Sequence, residues 1–276
     1  MNLVSAGKAV TQYLTLSTGE NIFYREAGLT TSPTILLLHS YPPSPHQYRN
    51  LIPILSPRYR VIAPDLTGFG FTTAPANDTY TFDSLASTIS TFLTEIPTPP
   101  EKYSIYIFDY GAPTGFRFAL KHPKSIQAII PQNGNTHVEG LGAFCNTASV
   151  RDALRRFMEL DGTIDPNSIA PESYTLDQYL LDRPGKKEIQ LDLFYDYKTN
   201  VEKYPEWQAW FRSSHVLLLA VWGKNDPIFV KPGAEAYKTD LPKAGVHLLD
   251  AAHFAVDSHE KEIGALMVRF LKRHVI

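Results

Sequence analysis

Two aspartates and one histidine stand where three apolar runs stop. Asp109 closes the run Tyr103-Ser-Ile-Tyr-Ile-Phe108, Asp226 follows residues 216–222 through Gly223-Lys-Asn, and His253 follows residues 246–249 through Asp250-Ala-Ala. Each run has the composition of a buried strand. Parallel strands deliver their carboxyl ends to one edge of a sheet, so the three groups can converge there. Asp109 is followed by Tyr110-Gly-Ala-Pro113, then by Phe116, Ala119 and Leu120 at helical spacing, with Pro113 where a first helical turn tolerates proline. This is strand, sharp turn, helix: the geometry of a nucleophile elbow carrying Asp instead of Ser, with Gly111 as the small residue that so tight a reversal needs. A carboxylate at an elbow can attack, a second carboxylate can orient, and a histidine can serve as general base. Singly, each residue has a plainer role: Asp109 as a helix cap, Asp226 as a turn residue in Asn225-Asp226-Pro227, His253 as a core histidine. Their joint placement after three strands carries the catalytic reading.

The elements that must position these residues alternate along the chain. Residues 12–17 and 21–26, separated by Thr18-Gly-Glu20, read as an antiparallel hairpin at a sheet edge. Residues 34–38 form a continuous apolar run, as in a central parallel strand, and lead through His39-Ser-Tyr-Pro-Pro-Ser-Pro45 into a helical stretch over 46–55. Residues 60–64 are the next strand. Asp65-Leu-Thr-Gly-Phe-Gly70 follows it without the third glycine and helix of a dinucleotide fingerprint, and reads as a solvent-side loop. Leu85, Ile89, Phe92 and Leu93 share one helical face within 82–96, and Pro97-Thr-Pro-Pro100 stops that helix. A short strand at 125–131 precedes a break in the alternation. Residues 136–212 carry helical pieces, turns and many aromatics, and read as a helical cap inserted into a core domain of residues 1–135 and 213–276. Phe157, Tyr179, Leu191, Phe194, Tyr197, Trp207, Trp210 and Phe211 are expected to be mostly cap core, with the remainder lining a pocket. After the last two strands, helices are expected near 233–238 and over 258–273.

Composition narrows the function. The chain has 276 residues, 43% of them hydrophobic, enough to bury a substantial core. A formal charge of -2 supplies no basic field for nucleic acid or an anionic membrane, so the expected partner is a small molecule. The single cysteine, Cys145, excludes an internal disulfide, and residues 1–9 lack the apolar core of a signal peptide, so a reducing cytoplasm is the expected location. The longest apolar runs fall far short of a membrane span. The oligomeric state, monomer or homodimer, is left open.

Taken together, His39-Ser-Tyr-Pro42, Asp65-Leu-Thr-Gly-Phe-Gly70, Phe108-Asp-Tyr-Gly111, Trp222-Gly-Lys-Asn-Asp226-Pro and Ala252-His253-Phe254 make the chain resemble the α/β-hydrolase family, in particular the Asp-nucleophile subgroup of epoxide hydrolases and haloalkane dehalogenases. The resemblance spans nearly the whole chain. It implies an α/β fold with a mostly parallel eight-stranded sheet and an inserted helical cap, an Asp109–His253–Asp226 triad, an oxyanion hole from the backbone N–H groups of Tyr41 and Tyr110, and no cofactor or metal. Two positions depart from the family pattern: Ile107 stands where a small residue is usual, and Ser40 replaces a glycine. Both point to a tight elbow. No Gly-X-Ser-X-Gly occurs, which disfavours a serine esterase or lipase.

Among Asp-nucleophile chemistries, a dehalogenase needs donors for the departing halide. The usual positions beside the nucleophile and in the oxyanion loop hold Tyr110 and Tyr41, which leaves Trp207 or Trp210 in the cap. An epoxide hydrolase needs an acid for the ring oxygen, usually a cap tyrosine. Tyr174, Tyr179, Tyr195, Tyr197 and Tyr204 are available, although residues 146–173 contain no tyrosine and the usual Trp-Tyr-Arg run reads Trp210-Phe211-Arg212. His39, Tyr174, Tyr195, Tyr197, Trp210 and Phe211 are the candidate pocket residues. Epoxide hydrolysis is the leading expectation and dehalogenation the second. A lyase, cyclase, or esterase or lactonase without a serine nucleophile, reusing the same pocket, is the third.

Overall fold

The computed structural model describes residues 8–142 and 169–275. Cys145 and Phe157, and the tyrosine-free stretch up to residue 168, lie outside the described residues. In chain order come β1 (Val10–Thr15), β2 (Asn21–Ala27), β3 (Thr34–Leu38), α1 (Leu51–Leu55), β4 (Arg60–Pro64), α2 (Phe82–Glu95), β5 (Tyr103–Phe108), α3 (Gly111–Lys121) and β6 (Ile126–Gln132). The helices α4 (Pro171–Leu181), α5 (Lys186–Asp196) and α6 (Lys198–Ser214) intervene before β7 (Leu217–Gly223), α7 (Pro232–Asp240), β8 (Gly245–Leu249), α8 (Ala255–Ser258) and α9 (Glu260–His274).

The strands form one eight-stranded sheet in the order β1-β2-β4-β3-β5-β6-β7-β8. The β1–β2 and β2–β4 pairs are antiparallel, and the remaining five pairs are parallel. β3, β4 and β5 are buried along their whole length. Their runs are apolar without alternation because both faces are covered. One apolar layer packs α2 and α3 against one face, through Phe92, Phe116 and Ile105 among others. The opposite layer packs α1 and α9 through Leu51, Ile52, Ile263 and Met267. α2 starts in a reciprocal cap: Ser84 N–H donates to Thr81 Oγ1 at 3.1 Å, and Thr81 N–H donates to Ser84 Oγ at 3.0 Å.

One expectation is corrected and another holds in part. The Asp65–Gly70 stretch does not face solvent: Asp65, Leu66, Thr67 and Phe69 are all buried. The helices between β6 and β7 cover it, for Gln190 Nε2 donates to Gly68 O at 3.3 Å and Arg183 Nη2 donates to Gly70 O. The residues expected to be mostly cap core divide: Trp207 and Phe211 are buried and Tyr197 and Trp210 pack against them partly buried, while Tyr179, Leu191 and Phe194 are exposed. Apolar residues fall around most of α4 and α5, so no single face identifies itself in the sequence.

Candidate active site

The elbow is built by close approach. Asp109 has φ +48°, in the left-handed region that non-glycine residues rarely enter, at a cost of order 1–3 kcal/mol. The turn that holds it needs glycine behind it: a Cβ on Gly111 would lie 2.2 Å from Leu38 O, so α3 starts directly against the end of β3. Ile107 is accommodated by a small residue elsewhere. A Cβ on Gly115 would lie 2.4 Å from Ile107 Cγ2, so the helix, not the strand, makes the room. Ser40 is fully buried and donates from Oγ to Gln47 Oε1 at 2.8 Å.

Asp109 Oδ2 accepts the Tyr41 N–H at 2.8 Å. Burial raises the Asp109 pKa; the His253 charge and the Tyr41 and Tyr110 amides act against that rise, and Asp226 adds to it. Two backbone donors therefore already converge on the elbow carboxyl, the arrangement that stabilises negative charge developing there.

Behind Asp109, His253 Nδ1 lies 2.7 Å from Asp226 Oδ2. Asp226 Oδ1 accepts Ile228 N–H at 2.7 Å, and Oδ2 also accepts Asn133 Nδ2 at 2.6 Å. An ionised carboxylate on Nδ1 fixes the tautomer with Nδ1 protonated, so Nε2 is the nitrogen able to take up a proton. Burial would lower the His253 pKa, but the Asp226 charge and hydrogen bond, with Asp109 contributing, raise it overall. Asn133 was not singled out in the sequence. It has φ +41°, and its Oδ1 accepts Gly223 N–H at 2.9 Å, tying the end of β6 to the end of β7. The available signal was a fourth strand end, Gln132-Asn-Gly-Asn135, with a residue type that tolerates the left-handed region.

Aromatic rings wall the site. Tyr41 and Tyr110 are 5.3 Å apart between ring centroids, Tyr110 is 6.1 Å from Tyr197, Tyr197 stacks on Phe229 at 6.4 Å, and Phe229 is 5.9 Å from the His253 ring. Burial raises the Tyr41 hydroxyl pKa above its ordinary value, with the Asp109 charge adding, so this phenol stays protonated.

Of the candidate pocket residues, Tyr197 joins this wall and the others lie elsewhere. His39 is fully buried, with Nε2 accepting Leu66 N–H at 2.9 Å and Nδ1 on Ser40 O at 2.8 Å. It ties the loop after β3 to the loop after β4, and burial, against two backbone hydrogen bonds, lowers its pKa to about 4. Tyr195 is 73% exposed beneath the Lys198 ammonium, 4.0 Å from the ring centroid, and Tyr174 is 40% exposed on α4. Phe211 is buried against Phe116 and Tyr237, and Trp210 packs beside it. Trp207 lies 5.2 Å from Phe116, roughly two helical turns along α3 from the elbow, with Arg117 over its ring at 5.5 Å.

Arg117 fixes α6 to the sheet layer. Its buried guanidinium donates to Asp83 Oδ1 at 3.0 Å, Asn200 Oδ1 at 2.6 Å and Thr199 Oγ1 at 2.8 Å, joining α2, α3 and α6, with Asp83 on the solvent side. Next to it, Phe82 N–H donates to Asp196 Oδ2 at 2.8 Å. Among the described residues no helix is long and apolar enough to cross a membrane.

Comparison with known proteins agrees with this architecture. The profile of the alpha/beta hydrolase fold family matches residues 33–158. An uncharacterized hydrolase of Saccharomyces cerevisiae is 42% identical over 262 residues, covering 87% of this chain and 90% of the yeast protein. A haloalkane dehalogenase of Bradyrhizobium diazoefficiens is 32% identical over 40% of this chain and 35% of its own. An epoxide hydrolase of Siraitia grosvenorii is 34% identical over 43% of this chain and 37% of its own. In fold, the crystal structure of Cfl2 from Burkholderia cenocepacia superposes with TM-score 0.79 at 19% identity, covering 94% of this chain and 95% of that one.

Proposed function

Because the chain belongs to the α/β-hydrolase family, we propose that it is an epoxide hydrolase with Asp109 as nucleophile, His253 as general base, Asp226 as its orienting acid and Tyr197 as the acid that receives the ring oxygen. The observation that carries the reading is the elbow carboxylate at φ +48°, with Oδ2 already on the Tyr41 amide and coupled in charge to a His253–Asp226 pair. The epoxide hydrolase relative supports the substrate class over the part of the chain it matches. Residues 136–212 act as the cap, whose helices roof the site.

In the first step a carboxylate oxygen of Asp109 attacks a ring carbon, forming an alkyl ester while the carbon–oxygen bond of the ring breaks. The alkoxide takes the Tyr197 proton. In the second step His253 Nε2 removes a proton from water, and the resulting hydroxide adds to the Asp109 carboxyl carbon. The Tyr41 and Tyr110 amides hold the oxyanion, and the imidazolium is stabilised by Asp226. Collapse releases the diol and restores Asp109. The proton on His253 returns to the Tyr197 phenolate. Dehalogenation would use the same three residues, but Trp207, the most buried indole of the cap, lies beside Arg117, away from the elbow.

The test is to separate the two steps. His253→Gln leaves Asp109 intact, so incubation with an epoxide turned over by the wild type is expected to trap about one equivalent of alkyl ester. Intact-mass spectrometry reads the adduct, and digestion assigns it to the peptide containing Asp109. An adduct on another residue, or none, rules out this mechanism. Turnover of haloalkanes but not of any epoxide in a panel rules out the substrate class alone.

A further inference from the structure

The Tyr41 N–H that meets Asp109 at 2.8 Å belongs to the peptide group linking Ser40 to Tyr41, and the other end of that group is also held. In a planar trans peptide the C=O and N–H point in opposite directions, so whatever grips the oxygen aims the N–H. Ser40 O lies 2.8 Å from His39 Nδ1, while His39 Nε2 accepts the Leu66 N–H at 2.9 Å. An accepting Nε2 places the ring proton on Nδ1, which therefore donates to Ser40 O. Burial, against two backbone hydrogen bonds, lowers the His39 pKa to about 4, so this neutral tautomer persists above that pH.

A further hold comes from the Ser40 side chain, which stands where a glycine is usual in the family this chain resembles. Its hydroxyl is fully buried and donates to Gln47 Oε1 at 2.8 Å, and Gln47 is itself buried. Gln47 rides on the single helical turn Pro45–Tyr48. The last residue of that turn, Tyr48, donates from its phenol to Leu38 O at 2.9 Å, the carbonyl against which Gly111 packs. One turn thus grips the chain on both sides of His39, at the end of β3 and at Ser40. A glycine at position 40 would leave that second grip unmade. We propose that Ser40 and Gln47 are a positioning pair which, with His39, clamps the Ser40–Tyr41 peptide so that its N–H stays on the Asp109 carboxyl. The kinetic consequence of the clamp rests on the reading of Asp109 as nucleophile; its geometry does not.

During attack on the ring, charge leaves the Asp109 carboxyl, so a misaimed Tyr41 amide costs that step little. During ester hydrolysis, charge returns to the same group as an oxyanion, and the amide must be in place without reorganising. Loosening the clamp is therefore expected to slow ester breakdown roughly 10- to 100-fold, less than the roughly 10² to 10³ for deleting an oxyanion donor outright, and to change ester formation far less. Burial raises the Asp109 pKa, and the Tyr41 amide is one of the groups opposing that rise. A slackened clamp lets the pKa climb further, and because Asp109 attacks only when ionised, the acid limb of ester formation moves to higher pH. The other titratable groups that interact with the Asp109 charge are His253, Asp226 and the Tyr41, Tyr48 and Tyr110 phenols, and changes at Ser40 or Gln47 replace none of them.

Two single variants remove the same hydrogen bond from opposite ends, Ser40→Ala and Gln47→Met. Carbon-13 NMR of the protein with labelled aspartate carboxyls, which needs no substrate, is expected to place the Asp109 midpoint about half a unit or more above wild type in both. Rapid quench with an epoxide that the wild type turns over is expected to show the Asp109 ester accumulating in both, with its breakdown slowed. The double variant is expected to be no worse than the worse single, because the second change removes nothing further. An unchanged Asp109 midpoint in both single variants, or ester breakdown at the wild-type rate, overturns the proposal, and so does a fall in melting temperature unaccompanied by either change. If His253→Gln traps no ester, it is the reading of Asp109 as nucleophile that fails, and the Asp109 midpoint alone then decides the clamp. Should Ser40→Ala fail to fold, Gln47→Met decides in its place.

Discussion

Replacing Asp226 by Asn changes one atom and tests the whole hydrolytic half of the reaction. Three donors converge on the native carboxylate: His253 Nδ1 at 2.7 Å and Asn133 Nδ2 at 2.6 Å on Oδ2, and Ile228 N–H at 2.7 Å on Oδ1. An amide offers one acceptor oxygen and an NH₂. If the oxygen faces His253 and Asn133, the NH₂ meets the Ile228 N–H, leaving a buried donor unpaired at about 1–3 kcal/mol of stability. If it faces Ile228, the NH₂ meets His253, which must present an unprotonated Nδ1 and so carries its proton on Nε2, where water should deliver one. In both cases the imidazolium loses its counter-charge. A loss of about 10⁴ in the water step, or about 5 kcal/mol, is the expected scale. Attack by Asp109 does not pass through His253, so rapid quench should show a burst of about one equivalent followed by turnover reduced about 10⁴-fold. Because Asp226 is what lifts His253 above its ordinary pKa, the acid limb of the residual activity should also move to lower pH. A steady-state rate within tenfold of wild type in a folded variant refutes the assignment of Asp226.

Tyr197→Phe should slow single-turnover ester formation by about 10 to 10³, the scale of one lost acid, while Tyr195→Phe leaves it unchanged because Tyr195 faces solvent. Equal rates in both variants would move the acid elsewhere. Gly111→Ala drives a Cβ to within 2.2 Å of Leu38 O, and neither backbone can retreat without opening the elbow. A stability loss of about 3 kcal/mol or more in urea unfolding, with turnover abolished, is expected; a stable, active variant would refute the close approach of α3 to the end of β3.

The sheet was legible because its central strands are buried on both faces and so write themselves as unbroken apolar runs, as residues 34–38 and 103–108 do. The place of Asp109 was legible for the same reason: a charged residue that ends such a run marks where the strand stops and the turn into α3 begins. Asn133, at the end of β6, was not, since an asparagine after a strand is the commonest of turn residues and its purpose lies in a contact 93 residues away. Ile107 looked like a defect because the compensating Gly115 sits on the following helix, eight positions on, and only the packing of α3 on β5 and β3 brings them together. The loop at 65–70 looked exposed because glycines and a threonine are typical of surface turns; what buries it is a helix more than a hundred residues later.

The choice between Tyr195 and Tyr197 shows what the helices between β6 and β7 add to that scaffold. Two positions along a helical stretch point about 200° apart, so the sequence offers both and packing must select. Tyr197 stands at the junction of α5 and α6, and the junction is stapled on both sides: Asp196 accepts the Phe82 N–H before it, and Thr199 and Asn200 receive Arg117 after it. Both staples run to α2 and α3, the second being the helix that begins at the elbow. A shift of α3 would therefore carry the proposed nucleophile and the proposed acid together, preserving their separation.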